Sequence, residues 1–260
     1  MGNQELVDGM YRDGFFCPLA KMLMGETAEI LAEQYKITRE EQDEFALCSQ
    51  TRAAAAIDGK RFDGELAPVT LESKKGPQTF GRDEHLFLGA TMEKMAKLSP
   101  VFAKTGTVTA ANSSGITDGA AAVVLASEYF AKKNNLKPLA RIVAVTSAGV
   151  DPRLMGIAPV PALRKMEQKH QLRVADFDLV ELNEAFAAQV LACDRELHID
   201  PKKLNVNGGA IALGHPIGCT GTRITVTLLH EMMKRKARRG LATLCVSGGM
   251  GMALAIENVA

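Results

Sequence analysis

The sequence predicts an α/β fold, with a layered βαβ-type domain in its C-terminal part and a more irregular α+β unit before it. Three observations carry this reading. From Ala140 onward, short aliphatic runs alternate with amphipathic stretches, the grammar of strands joined by helices. Before about Ser114 that alternation is absent. Between the two, at Pro138, the texture of the chain changes, and 47% apolar residues in 260 are enough for a sizeable core.

The elements follow in order. Gly25 to Lys60 reads as two helices in series. Thr27-Ala-Glu-Ile-Leu-Ala-Glu-Gln-Tyr is amphipathic, and Thr38-Arg-Glu-Glu has the form of a capping box opening the second helix. Phe62 to Leu98 loosens into short strands and turns rich in Lys, Gly, Asp and Pro. A helix of small and apolar residues is expected from about Asp118 to Asn134. Beyond Pro138 come a strand at Arg141 to Ala148, a helix from about Val160, a strand at Asp178 to Glu181 and a helix from Asn183 to His198. A glycine-rich loop follows, then a helix from Cys219 to Arg238 and a hairpin of Ala242 to Val246 with Met250 to Ile256. The domain organisation expected is therefore 1–116, 117–137 and 138–260.

Charge excludes some partners. With 31 basic and 30 acidic residues the chain has a formal charge of +1, which gives no electrostatic reason to bind nucleic acid or a membrane surface. The start of the sequence lacks the basic and apolar regions of a signal peptide, and its apolar runs are too short to span a bilayer, so a cytoplasmic protein is expected. Cys17, Cys48, Cys193, Cys219 and Cys245 are an odd number without CxxC pairing, and they read as free thiols. Of these, all but Cys245 are expected to be small buried hydrophobes.

Three segments can carry chemistry. Asn207-Gly-Gly-Ala-Ile-Ala-Leu-Gly-His-Pro-Ile-Gly-Cys-Thr-Gly sets five glycines around His215 just before a helix. Glycines let backbone approach a ligand closely, and Pro216 stiffens the chain beside the imidazole. A phosphate cradle would require a Gly-Lys-Ser/Thr ending that is absent here. Leu244-Cys245-Val-Ser-Gly-Gly-Met-Gly puts a cysteine at the end of an apolar strand before a tight turn. Asn183-Glu-Ala-Phe-Ala stands at a strand-to-helix junction. Singly, Asn183 is also an ordinary helix N-cap and His215 a helix cap.

Taken together and in order, these segments resemble the thiolases, with the acetyl-CoA acetyltransferases nearest. Met24-Gly-Glu-Thr-Ala-Glu, Arg39-Glu-Glu-Gln-Asp, Gly106-Thr-Val-Thr-Ala-Ala-Asn-Ser-Ser-Gly and Gly149-Val-Asp-Pro extend the resemblance over almost the whole chain. It implies a thiolase-like fold: a C-terminal βαβαβ-type half with a mixed five-stranded sheet, preceded by an irregular α+β loop domain that covers CoA. It also implies acyl transfer through an acyl-cysteine, with CoA thioesters as substrates and no tightly bound cofactor or metal. His215 would be the base that activates the nucleophilic thiol, Cys245 the acid/base toward the α-carbon, and Asn183 the holder of a water beside His215. Ser247 would offer its backbone N–H to an oxyanion. Met24, Phe102, Ser114, Met155, Ala185 and Phe186 would line the pantetheine tunnel.

The chain departs from the family's pattern at Leu23, where biosynthetic members carry His, at Phe87, where a nucleotide-contacting arginine is usual, and at Ser247 in place of glycine. None of the five cysteines matches the family's nucleophile segment. The resemblance therefore implies a partner polypeptide that supplies the N-terminal half with that cysteine, in a split thiolase that assembles further, as a dimer of heterodimers or similar. The competing expectations are a truncated chain, a non-catalytic CoA-binding or scaffold subunit, and a Cys-His-Asn hydrolase using Cys245 as nucleophile.

Overall fold

A computed structural model describes residues 1–259. Its first part is built on two helices. After the small pair β1 (Phe16–Cys17) and β2 (Met22–Leu23), α1 (Met24–Gln34) and α2 (Arg39–Asp58) follow in series as expected. The capping box forms: the Glu41 N–H donates to Thr38 Oγ1 at 3.1 Å and the Thr38 N–H to Glu41 Oε2 at 2.7 Å. Two otherwise orphaned amides are thereby satisfied, which fixes where α2 begins. The short strands β3 (Val69–Leu71) and β4 (Gln78–Phe80) pair in a hairpin, and α3 (Met92–Ala96) closes the unit by burying Met95 against α2.

The expected helix from Asp118 to Asn134 does not form over most of that range. Only α4 (Glu128–Lys133) is helical, and residues 115–127 run without regular structure. The physical reason is that a β-branched, apolar run gains little as a helix without a surface to bury against. Here Val124 is 93% and Leu125 74% exposed.

The C-terminal part is the layered domain. Strand β5 (Ala140–Gly149), helix α5 (Pro159–His170), strand β6 (Leu179–Leu182), helices α6 (Ala187–Leu197), α7 (Ala210–Leu213) and α8 (Thr220–Arg235), and strands β7 (Arg239–Val246) and β8 (Met250–Asn258) follow in order. The sheet order is β5-β8-β7-β6, with β6 parallel to β7 and the other pairs antiparallel, so it is mixed. One face packs α5 and α6 through Leu163, Met166, Phe177, Val190 and Leu241. The other packs α8 through Ile224, Leu228 and Met232 against Leu179, Ala242 and Ile256.

The fifth strand is reduced to one bridge residue, Leu204 beside Val180. Asn205 explains the reduction. It has φ of 43°, which ends an extended run, and its side chain takes over the ladder: Leu182 N–H donates to Oδ1 at 2.9 Å and Nδ2 donates to Leu182 O at 2.8 Å.

Candidate active site

Three motif segments meet beyond the C-terminal ends of β6 and β7, where open α/β sheets hold their ligands. The first is Asn183 to Phe186. The α6 helix starts only at Ala187, with Phe186 in extended conformation (φ −147°) as its N-cap, so Asn183 does not cap the helix. Its N–H instead donates to Thr243 O at 3.0 Å, continuing the β6–β7 pairing by one residue. That leaves the side chain free to face the second segment. Asn183 Nδ2 lies 3.4 Å from His215 Nε2, while Asn183 Oδ1 is buried and makes no hydrogen bond to the protein. An unsatisfied buried carbonyl in a polar setting is a position for an ordered water.

His215 is held by the glycine-rich loop. Gly214 has φ of 96°, and a side chain there would also meet Thr117 at 2.4 Å, so only glycine fits. The His215 N–H donates to Gly115 O at 3.1 Å, fastening the loop to the first part of the chain. Its Nδ1 lies 2.6 Å from the hydroxyl of Thr220, the first residue of α8. Burial, aided by the positive charge of Arg223, lowers the imidazole pKa to about 4. His215 is therefore neutral at physiological pH and able to accept a proton. Like Asn183, it is not a helix cap, since the N-cap of α8 is Cys219.

Glu184, next to Asn183, organises the loop from beneath. It is 1% exposed; Oε2 accepts from Ser49 Oγ at 2.6 Å and from the Ile211 N–H at 3.2 Å, and Oε1 accepts from Asn205 Nδ2 at 2.8 Å. The carboxylate fills the space above Gly209, where a Cβ would stand 2.3 Å from it. Burial raises its pKa against these hydrogen bonds. Ser49 belongs to α2, so a helix of the first unit also braces the loop, and the Gly209 N–H donates to its hydroxyl at 3.0 Å.

Cys245 is the last buried residue of β7 before the turn into β8. It packs with Met155 and Ala185, and Met24 and Phe186 lie against this cluster. Burial pushes its pKa up to about 12, so it is a neutral thiol. Ser247 sits exposed in the turn that follows, before Gly248 and Gly249, which have φ of 84° and 83°. Phe102 meets Phe186 edge-on with ring centroids 6.0 Å apart, and the Ser114 N–H donates to Ala185 O at 3.0 Å. The expected tunnel residues are thus linked to the Cys245 cluster: Met155 and Ala185 as members, Met24 and Phe186 packed against it, Phe102 through Phe186 and Ser114 through Ala185.

The remaining cysteines are free as expected, but Cys48 is exposed and Cys219 half-buried, so only Cys17 and Cys193 behave as buried small residues. Cys48 lies near the middle of α2, on its solvent side. Sequence reasoning did not single out Thr220, Glu184, Ser49 or Asn205. Thr220 and Glu184 stand inside or beside the motifs and could have been found there, whereas nothing in the sequence ties Ser49 to a loop 160 residues away. Among the described residues no group of three or more His, Cys, Asp or Glu is placed to hold a metal ion, and no helix is long and apolar enough to cross a membrane.

Comparison with known proteins gives a consistent result. The family model "Thiolase, N-terminal domain" matches residues 1–129 and "Thiolase, C-terminal domain" matches 136–258. The irregular first unit is thus matched by the family's N-terminal domain. An acetyl-CoA acetyltransferase of Paracoccus denitrificans is 51% identical over 258 residues, covering 99% of this chain and 66% of the relative. The crystal structure of the Bacillus anthracis acetyl-CoA acetyltransferase superposes with a TM-score of 0.97 at 50% identity, over 100% of this chain and 66% of that one. Human mitochondrial 3-ketoacyl-CoA thiolase in complex with CoA superposes with a TM-score of 0.90 at 49% identity, over 94% of this chain and 61% of that one. The chain therefore spans about two thirds of the length of the curated relatives it matches, 66% in the first of them.

Proposed function

The chain belongs to the thiolase family, and from that premise we propose that it carries the acid/base half of an acyl-transfer site acting on CoA thioesters. The reaction is acetyl transfer between acetyl-CoA molecules to give acetoacetyl-CoA, or the reverse thiolysis of a 3-ketoacyl-CoA, in the cytoplasm. The observation that carries this reading is the convergence of a neutral His215, its neighbour Asn183, and a neutral thiol at Cys245 lying on an apolar cluster.

In the thiolysis direction the nucleophilic thiol gives its proton to His215 and attacks the ketone carbon of the substrate. The bond between that carbon and the α-carbon breaks, and the leaving enolate of acetyl-CoA takes the proton of Cys245. Free CoA then gives its thiol proton to the Cys245 thiolate and attacks the acyl-cysteine. The released thiolate recovers its proton from His215, and both groups return to their starting states. A thiol with a raised pKa is the right resting form for a proton donor to an enolate, and a depressed imidazole pKa keeps the base unprotonated between turnovers. Asn183, through the water its free Oδ1 would hold, and the Ser247 N–H would carry the thioester oxygens as charge develops on them. Met24, Phe102, Ser114, Met155, Ala185 and Phe186 would guide the pantetheine arm. Support for CoA as the ligand comes from the similar human enzyme, whose structure is of a complex with CoA.

The nucleophile itself comes from outside these 260 residues, since none of the five cysteines stands in the family's nucleophile motif. Our reading is that a partner polypeptide contributes it and that the pair assembles further. Support is the apolar surface left uncovered on β5, β8 and residues 123–125. Co-expression with a polypeptide carrying the missing segment should give co-purification and CoA-dependent cleavage of acetoacetyl-CoA. Failure of both would sink the proposal, and turnover unchanged by His215→Ala would favour a scaffold role.

A further inference from the structure

We propose that Thr220 is a positioning residue that fixes the tautomer of His215, holding the proton on Nδ1 and leaving Nε2 as the base. The inference rests on the reading of His215 as a proton acceptor and names the atom that does the accepting. A threonine hydroxyl has one proton to give and lone pairs to receive with. Thr220 is fully buried, and its Oγ1 donates to Pro216 O, one helical turn back, at 2.9 Å. With its proton committed there, Oγ1 faces His215 Nδ1 at 2.6 Å as an acceptor, so Nδ1 carries the hydrogen.

The other side of the ring agrees. Asn183 presents its amide nitrogen, a donor, to Nε2 at 3.4 Å, and two donors cannot face each other. Nε2 is therefore the bare nitrogen. The alternative tautomer would require Asn183 to turn its amide over and Thr220 to withdraw its proton from Pro216. When His215 is protonated during turnover, Nδ1–H still points at Thr220 Oγ1, so this contact is kept through the cycle while only Nε2 gains and loses a proton. Pro216 is suited to the task because it fixes the backbone whose carbonyl receives the hydroxyl. The device is built into the segment Gly-His-Pro-x-x-x-Thr that begins α8.

The test reads the ring directly. In the nitrogen-labelled chain at neutral pH, long-range nitrogen–proton correlation should show His215 with a pyrrole-type Nδ1 and a pyridine-type Nε2, the signals being assigned by their loss in His215→Gln. Thr220→Ser should keep that pattern, and Thr220→Ala should move it toward the Nε2–H form. In the completed enzyme Thr220→Ala should lower kcat by roughly 10- to 100-fold, within the range expected of a misdirected general base. KM for acetoacetyl-CoA should stay within about threefold, and Thr220→Ser should restore turnover. A wild-type His215 in the Nε2–H form overturns the assignment, as does an unchanged tautomer in Thr220→Ala. Should the alanine variant not fold, the wild-type and serine spectra decide alone. The predicted tautomer in an assembly that cleaves no thioester would support the Thr220 role while sinking the proposed activity.

Discussion

Strands β6 and β7 are covered on both faces, whereas β5 is covered on one and β8 on both only toward its C-terminal end, where Leu254 and Ile256 meet the α8 layer. In β6 every residue is buried, between the α5/α6 layer on one side and α8 on the other. In β5 the buried positions Ala144 and Thr146 alternate with exposed Val145 and Ser147, and on β8 Met250 and Met252 are about half exposed. Ile142, Val145, Met250 and Met252 are apolar side chains left exposed on this face, beside Arg141 and Ser147, and Val123, Val124 and Leu125 add to the exposed apolar surface. The functional groups follow the same division. Asn183, Glu184 and Cys245 extend from the doubly covered strands, where burial can shift a pKa. The uncovered strands carry none. The candidate catalytic groups thus stand on two packed layers, while the apolar sheet face with one layer is left without a covering surface.

Substitutions in the two regions should differ sharply in effect. The largest effect is expected in the doubly covered region: Phe177→Ala, which empties a fully buried aromatic site, should cost about 3–5 kcal/mol in urea unfolding. Next comes the pH dependence of the buried base. His215 has its folded pKa lowered to about 4 from an ordinary value near ~6.5, so the unfolded chain binds the proton more readily. Stability from this group is complete above about pH 6.5 and is lost as pH falls toward 4. Between pH 7 and 5 the wild type should therefore lose about 2 kcal/mol relative to His215→Gln, since one pH unit is worth about 1.4 kcal/mol over that window. An equal loss in both proteins would contradict the assignment. Glu181 works in the opposite sense, because burial raises its pKa to about 8 despite Arg223 at 3.9 Å, and the His215→Gln reference cancels it.

Gly209→Ala should cost about 1–3 kcal/mol by overpacking, as its methyl group meets the Glu184 carboxylate. Thermal unfolding together with Glu184→Gln would show whether that group is the obstacle. Thr38→Ala, which removes a cap in the first unit, should cost about 1 kcal/mol. The smallest effect is the sharpest contrast: Val145→Ala on the uncovered strand should change the stability of the chain by no more than about 0.5 kcal/mol. In the proposed assembly the same substitution should weaken association measurably. A large loss in the chain alone would show that β5 is already covered.

Much of the fold was legible because it is written locally. The α1–α2 pair, the capping box at Thr38, and the strands and helices from Ala140 onward follow from periodicity and caps that lie next to one another in the sequence. The helix expected over Asp118 to Asn134 was not, since a run of Ala and Val looks alike whether it is a helix, a strand or an uncovered surface. Only its tertiary neighbours distinguish them. The fifth strand was lost for a similar reason, as an asparagine side chain at 205 does the work of a backbone ladder. At the site, His215, Asn183 and Cys245 stood out by motif. Glu184 stands in the same motif as Asn183, but its partners Ser49 and Asn205 were hidden because their contacts cross more than 20 residues, and for Ser49 more than 130.

The most direct test of the central claim is to locate the acyl group. The completed enzyme is incubated with acetyl-CoA, quenched in acid, digested and mapped by mass spectrometry. An acetyl thioester is expected on a cysteine outside these 260 residues, with Cys245 unmodified and labelling lost in His215→Ala. An acetyl group on Cys245 would contradict that claim and make this chain a self-sufficient Cys-His-Asn acyl-transfer site.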